Sequence, residues 1–374
     1  MKIGIITMHR VQNYGSALQA FALVEYLKKL GNEVEIIDYV FPNKYHLKCA
    51  MPSWKERLKL KSRELLRSLL LEIFLKRNQK FESFRKGHIS LSAKKYSTIS
   101  ELHNSTLHYD IYITGSDQVW NESKIYADNS FFCDFAPKGK KIISFGASVT
   151  TNTLTAEYKK RLENQLTRYS AIGVREASSV PLLRNMNLGN KIEIINTCDP
   201  TLLLDASDYD KLAEQSKINI SDDFILVHQL EYNFSAEPAI SEIISSAKKH
   251  YGCGIILIDH MFKKLDVGDR KMCNLGPKEF VWLFKHAKAV VTSSFHGTMF
   301  SIIYRKAFIS VAPPKNHSDS RIADTLNGMG LSNRLVHNDG SKHEIYWDEA
   351  YSADQELLIN SYINKSKCFL KENL

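Results

Sequence analysis

Residues 287–311 read AKAVVTSSFHGTMFSIIYRKAFISV, and this stretch decides the fold. Ala289, Val290 and Val291 form a short apolar run of the kind that makes a buried strand. Thr292, Ser293 and Ser294 make a polar turn, and Phe295, His296, Gly297 and Thr298 open a helix that runs to about residue 304. A second apolar run at 307–311 predicts another strand. The unit is strand, helix, strand, with an imidazole where the first strand's carboxyl end meets the helix N-terminus. In open α/β sheets that edge is where ligands bind, and free backbone N–H groups there favour anions. Ser294, Phe295, His296 and Gly297 are therefore candidate binding residues, with His296 the one able to move a proton. The alternative is a histidine buried for structural reasons in a tight connection.

Working outward, the same alternation recurs in both directions. Downstream of the middle of the chain it predicts a strand at 224–229, a helix at 238–250, a strand at 255–259 and a helix at 278–286. After the opening stretch come a polar loop at 313–321, a helix at 322–329 stopped by Gly330, and a terminal helix at 352–371. Upstream, strands are expected at 2–7, 33–39, 109–113, 140–146, 171–174 and 192–195, with helices at 17–30, 155–169 and 178–187. Strands alternating with helices predict an α/β protein with parallel sheets. The rhythm restarts after residues 197–210, so two Rossmann-like domains are expected, 1–197 and 198–374. Residues 42–95 break the pattern: 54–86 is a long amphipathic, basic stretch, read as one or two helices inserted in the first domain.

Composition narrows the functional classes. With 44% hydrophobic and 24% charged residues the 374-residue chain matches ordinary globular proteins. It lacks the run of about 18 apolar residues that a membrane helix needs. Its first residues read as a strand rather than a signal peptide. Six cysteines are scattered singly, without a Cys-x-x-Cys pair or a Cys/His cluster, which argues for a reducing, cytoplasmic setting and against a metal site. Residues 44–95 carry 15 Lys/Arg against 4 Glu, a balance of +11 that leaves −2 of the net +9 for the rest. Basicity thus belongs to one segment, which suits peripheral contact with an anionic membrane surface. Nucleic-acid binding is not expected, because stacking motifs and glycine–basic repeats are missing.

Other strand ends carry further candidates. Asn13 and Gly15 lie in the loop after the first strand; with one glycine it is no dinucleotide fingerprint, but it can admit an oxyanion at a helix N-terminus. Asp117 follows the strand at 109–113 and could accept a hydroxyl proton, or cap a turn. Arg175 leaves the strand at 171–174 with a planar fork suited to carboxylate or phosphate, or to an internal salt bridge. Asp199, before Pro200, is a ligand or the structural anchor of an extended turn. Arg321 sits in the loop before the helix at 322–329.

Taken together, Asn13–Ala20 (NYGSALQA), Ile113–Asn121 (ITGSDQVWN), Val174–Ser178 (VREAS), Cys198–Leu203 (CDPTLL), Ser294–Gly297 (SFHG) and Ser320–Ile322 (SRI) with Gly330–Leu331 resemble the polysaccharide pyruvyl transferase family. They come in order over roughly residues 3–335; residues 42–95 and the last 40 or so carry little of the likeness. The resemblance implies a fold like the two-domain glycosyltransferases of the B type, with two halves facing a cleft. It implies transfer of a pyruvyl group from phosphoenolpyruvate to a sugar of a surface polysaccharide or its precursor, forming a cyclic ketal. It requires no cofactor beyond that donor substrate, and its partner is a saccharide acceptor, free or lipid-linked.

By the same resemblance, Arg175 would hold a donor oxyanion. His296 would sit at the donor as acid/base or phosphate partner, with Asn13 and Gly15 on the opposite wall. One departure stands out: some members carry Arg two residues before this histidine, where Ser294 stands here. Arg321 is the expected replacement, ahead of Arg305 at the far end of its helix; otherwise the helix N-terminus at Phe295–Thr298 suffices alone, or the donor is not phosphoenolpyruvate. Two other readings share the features: a B-type glycosyltransferase using a nucleotide sugar, and a non-catalytic relative acting as a binding protein.

Overall fold

The computed structural model describes residues 1–41, 64–122, 128–150, 153–189, 192–230, 234–258, 269–315, 317, 319, 321–341, 344–347 and 350–374. The chain forms two parallel sheets with helices packed on them, an α/β protein of two Rossmann-like halves. The first sheet contains β1 (Lys2–Ile6), β2 (Glu33–Tyr39), β3 (Leu91–Tyr96), β4 (Ile111–Thr114), β5 (Lys141–Ala147), β6 (Ala171–Val174) and β7 (Glu193–Asn196). Their order across the sheet is β3-β2-β1-β4-β5-β6-β7. The second contains β8 (Phe224–His228), β9 (Gly254–Ile258), β10 (Arg270–Met272), β11 (Ala289–Thr292), β12 (Ala307–Ala312) and β13 (Leu335–His337), in the order β10-β9-β8-β11-β12-β13. Each order reverses direction once, between β1 and β4 in the first sheet and between β8 and β11 in the second. Those reversals are the crevices in which doubly wound sheets bind ligands.

Central strands are apolar on both faces, as parallel strands covered by helices must be. Ile3, Ile5, Ile111, Ile113 and Ile143 turn to one side of the first sheet, and Ile6, Tyr112, Ile142 and Ile172 to the other. The interior on the first of those sides is continuous from one half to the other. It runs through helix α1 (Tyr14–Lys29) to Phe280, Phe284 and Phe300 of the second half. The final helix, Ala353–Asn373, ties the halves together a second time: Ser366 Oγ accepts the Cys198 amide at 2.8 Å, and Glu356 pairs with Arg305 at 2.6 Å.

The basic segment differs from its expected form. Residues 42–63 of it, with the start of the helix expected at 54, lie outside the described residues. Helix α2 (Glu64–His88) is present, but Leu91–Tyr96 is the edge strand β3 rather than part of a helical insertion. Lys94 and Lys95 are exposed on that strand, and charges at an edge guard against further pairing. Several basic side chains of α2 turn inward: Arg77 lies 5.1 Å over the Tyr14 ring, and Lys80 pairs with Glu279 at 2.8 Å. Among the described residues no helix is long and apolar enough to cross a membrane.

Candidate active site

The polar turn expected before His296 folds as a set of local hydrogen bonds. Thr292 Oγ1 donates to the His228 carbonyl at 2.7 Å and accepts the Ser294 amide at 3.0 Å. Ser293 Oγ both donates to the Leu230 carbonyl and accepts the Leu230 amide, each at 2.9 Å, which locks the loop after β8 to the loop after β11. Ser294 then caps the helix Phe295–Ile303 by accepting the Gly297 amide at 3.3 Å. Gly297 has a packing reason: a Cβ there would stand 2.3 Å from Thr292 Oγ1. The helix is thereby seated directly on the strand that feeds it, and His296 projects from its first turn.

Facing it, Asn13 caps α1 by accepting the amides of Gly15 at 2.9 Å and Ser16 at 3.2 Å. Asn13 is thus a cap and a wall residue together. At Gly15 the two halves meet closely. A Cβ on it would lie 1.9 Å from His296 Nδ1 and 2.1 Å from its Cγ, so the imidazole packs against bare backbone. Asp117 adopts a left-handed conformation, φ 84°, uncommon outside glycine but tolerated by Asp. Its carbonyl accepts the Val119 amide at 2.7 Å and the Ser148 amide at 3.0 Å. Its carboxylate accepts the Gln118 amide at 2.8 Å and the hydroxyl of Ser16.

Between these walls lies a cavity of about 250 Å³. Asn13, Ser16, Asp117, Gln118, Ser293, Ser294, His296, Asp319 and Arg321 supply its polar lining, and Met8, Val11, Leu230, Phe234, Phe295, Pro313 and Ile322 the rest. It sits at the carboxyl ends of β1 and β4 on one side and of β8 and β11 on the other, so the two sheet reversals face each other across it. Three helices start at its wall: α1, the helix Phe295–Ile303 and the helix Arg321–Gly328. Each N-terminus carries the equivalent of about half a positive charge.

The expected cations are not free in the same way. Arg321 lines the cavity, but Asp319 receives its Nε at 2.8 Å and its Nη2 at 2.6 Å. Burial lowers the Arg321 pKa, yet Asp319 more than reverses that and holds the guanidinium charged. Arg305 is remote, paired with Glu356 beside Tyr351. Arg175 is 1% exposed and does not line the cavity. Its Nη1 donates to Asp199 at 2.9 Å and Ser116 at 3.4 Å, and its Cζ lies 4.5 Å from the centre of the Phe295 ring. Arg175 Nε and Nη2 have no hydrogen-bond partner among the described residues. Phe295, which does line the cavity, therefore covers a buried guanidinium whose Nη2 is unused and whose Nε stands 3.8 Å from Glu176 Oε1, too far for a hydrogen bond.

Asp199 is also behind the wall, 2% exposed. Burial pushes its carboxyl up, but the neighbouring His296 and Arg175 outweigh this and hold it well below the usual carboxylate range. Glu176, also buried, goes the other way: desolvation raises its pKa despite Arg175 and the Ser148 hydroxyl. Of the residues expected from sequence, Asn13, Asp117, Ser294, Phe295, His296 and Arg321 line one cavity, while Gly15, Gly297, Arg175 and Asp199 form the layer that shapes it. Ser16, Asp319, Leu230 and Phe234 were not anticipated. Ser16 and Asp319 stand beside expected residues in sequence, and proximity to Gly15 and Arg321 was the signal available. No group of three or more His, Cys, Asp or Glu side chains among the described residues is arranged to hold a metal ion.

Comparisons with known proteins bear on the family and the fold. A family model described as polysaccharide pyruvyl transferase matches residues 13–315. No curated protein matches the chain. Among solved structures the chain is similar to UDP-GlcNAc 2-epimerase from Methanocaldococcus jannaschii, at 13% identity and a TM-score of 0.52, over 97% of this chain and 93% of that one. The same enzyme from Neisseria meningitidis, bound to UDP-GlcNAc, matches at 11% identity and a TM-score of 0.50, over 100% and 99% of the two chains. A putative UDP-N-acetylglucosamine 2-epimerase from Listeria monocytogenes matches at 12% identity and a TM-score of 0.50, over 97% and 87%. At such identities the likeness is one of fold, the two-domain arrangement of the B-type glycosyltransferases.

Proposed function

The chain belongs to the polysaccharide pyruvyl transferase family, a family of transferases, and from that premise we propose that it moves a pyruvyl group from phosphoenolpyruvate to two hydroxyls of a sugar, as a cyclic ketal. The observation that carries the reading is the convergence of three helix N-termini on a cavity that also holds His296 and Arg321. A donor with a carboxylate and a phosphate needs N–H groups and cations. Because Asp319 already holds Arg321, the donor competes with that carboxylate for the guanidinium. Arg175 supplies two further N–H groups once the Phe295 ring moves aside.

The chemistry assigns roles. His296, as the imidazolium, gives its Nδ1 proton to the methylene carbon of the donor, leaving the adjacent carbon electron-poor. A sugar hydroxyl attacks that carbon and passes its proton to Asp117, which Ser16 holds in place. Phosphate leaves with its bonding electron pair, the second hydroxyl attacks the same carbon, and the ketal closes. Of the two hydroxyl protons, one replaces the proton spent by His296 and the other leaves with phosphate. The acceptor is a saccharide of a surface polysaccharide or its precursor. Exposed Lys94 and Lys95, in the basic segment, suit an anionic membrane surface if that precursor is lipid-linked.

Titration with phosphoenolpyruvate and a panel of nucleotide sugars tests the donor. A ligand present at about 100 times its Kd raises stability by about 2.7 kcal/mol. Stabilisation by phosphoenolpyruvate supports the reading, and stabilisation by a nucleotide sugar alone replaces it with a glycosyltransferase.

A further inference from the structure

Asp199 is bonded far more extensively than a turn cap requires. Its Oδ1 accepts the Thr201 amide at 3.0 Å and the Thr201 hydroxyl at 2.7 Å, which completes the cap of the short helical turn Pro200–Leu203. Its Oδ2 serves a different purpose. It accepts Arg175 Nη1 at 2.9 Å and the Ser116 hydroxyl at 3.1 Å, and it stands 3.4 Å from His296 Nε2. That last contact is off the line of a hydrogen bond, and Nε2 is buried without a hydrogen-bond partner among the described residues. Catalytic hydrogen bonds are often long or poorly aligned before substrate arrives. The opposite ring nitrogen, Nδ1, packs on Gly15.

We propose that Asp199 is the positioning residue for His296, a buried anion that accepts Nε2–H and so fixes the tautomer and orientation of the ring. The inference rests on the reading that His296 handles the donor. It assigns Asp199 no contact with substrate, since the carboxylate lies behind the cavity wall. The arrangement also links the halves: Ser116 and Arg175 follow β4 and β6 of the first sheet, while His296 begins a helix of the second. The histidine is thus aligned by the first half of the molecule, and only when both halves are in register.

Two measurements test this. In the wild-type, ligand-free chain, ¹⁵N spectra of labelled histidine report which ring nitrogen of His296 bears the proton in the neutral form. Nε2–H is expected, and Nδ1–H overturns the proposal whatever the variants do. Steady-state turnover with phosphoenolpyruvate then compares Asp199→Asn with Thr201→Val, which removes one cap bond and leaves the charge. Asp199→Asn is expected to lower kcat about tenfold or more, as misplacement of a reacting group does, with the donor KM little changed, and Thr201→Val to leave both near wild type. Equal losses in the two variants, or a loss confined to KM, overturn it. The ¹⁵N result stands apart from catalysis, so an Nε2–H ring in a protein that transfers no pyruvyl group would leave the proposal intact and sink the donor reading instead.

Discussion

Replacing Gly15 with Ala adds one methyl group at a close approach between the two halves. The new Cβ would lie 1.9 Å from Nδ1, 2.1 Å from Cγ and 2.5 Å from Cε1 of His296. Carbon and nitrogen rest at roughly 3.5–4 Å, so the ring must retreat by about 1.5–2 Å or α1 must lift away from it. The ring has little room, because its far edge faces Asp199 at 3.4 Å. Overpacking of this kind costs about 1–3 kcal/mol, and Ala in a helix returns up to about 1 kcal/mol relative to Gly. The fold should therefore survive, with a net loss of about 0–3 kcal/mol by denaturant titration. Catalysis should not, since a misplacement of about 1 Å can cost about a hundredfold in rate. Phosphate release from phosphoenolpyruvate in the presence of acceptor measures kcat, and the His296 ring resonances report its displacement. A Gly15→Ala protein with wild-type kcat and unshifted His296 resonances refutes the packing argument.

Other perturbations give distinct outcomes. Arg175→Ala removes the main partner of Asp199 and the unused Nη2 behind Phe295, so transfer should be abolished; breaking a buried pair also costs about 3–5 kcal/mol, and a folded Arg175→Ala enzyme with full activity would remove Arg175 from the mechanism. Arg321→Ala should raise the donor KM, whereas Asp319→Asn frees the guanidinium and should lower it; movement of both constants in one direction contradicts the proposed competition. Stability should also depend on acid. Asp199 and Asp38 are both pushed up by burial but held below the usual carboxylate range, the first by His296 and Arg175 and the second by His9 and Arg10. A depressed folded pKa stabilises above the unfolded value of about 3.9, and that contribution is lost as pH falls toward the folded pKa. Urea titrations of wild type and Asp38→Asn should therefore differ at pH 7, with the difference beginning to shrink only as pH falls below about 4, and a difference that stays constant on acidification contradicts the assignment.

The two-sheet architecture was legible because its central strands are short apolar runs between clear helices. Ala171–Val174 falls where expected, and Phe295–Ile303 ends one residue before the expected limit. α1 begins at Tyr14 rather than residue 17, because Asn13 supplies a cap that extends the helix through Gly15 and Ser16. The missed strands β3, β10 and β13 lie at or beside sheet edges, where LSAKKY and RKM carry charge and lack the alternation of a half-buried strand. Within the site, Asn13, Asp117, His296 and Arg321 of the lining, and Gly15, Arg175 and Asp199 of the layer behind it, were accessible from sequence as candidates. Their contacts were not, because Gly15 against His296 and Asp199 between Arg175 and His296 join residues far apart in the chain. Ser294, expected as the place where a charge is missing, caps a helix. Three helix ends meet the cavity, and Arg321, the expected substitute arginine, lines it while paired with Asp319.

The most direct test of the central claim is mass spectrometry of candidate oligosaccharides after incubation with the protein and phosphoenolpyruvate, with phosphate release followed in parallel. The proposed reaction predicts an acceptor heavier by one pyruvyl ketal, one phosphate released per ketal formed, and neither product from His296→Ala. Unchanged acceptors with no phosphate release, alongside glycosyl transfer from a nucleotide sugar, would contradict it.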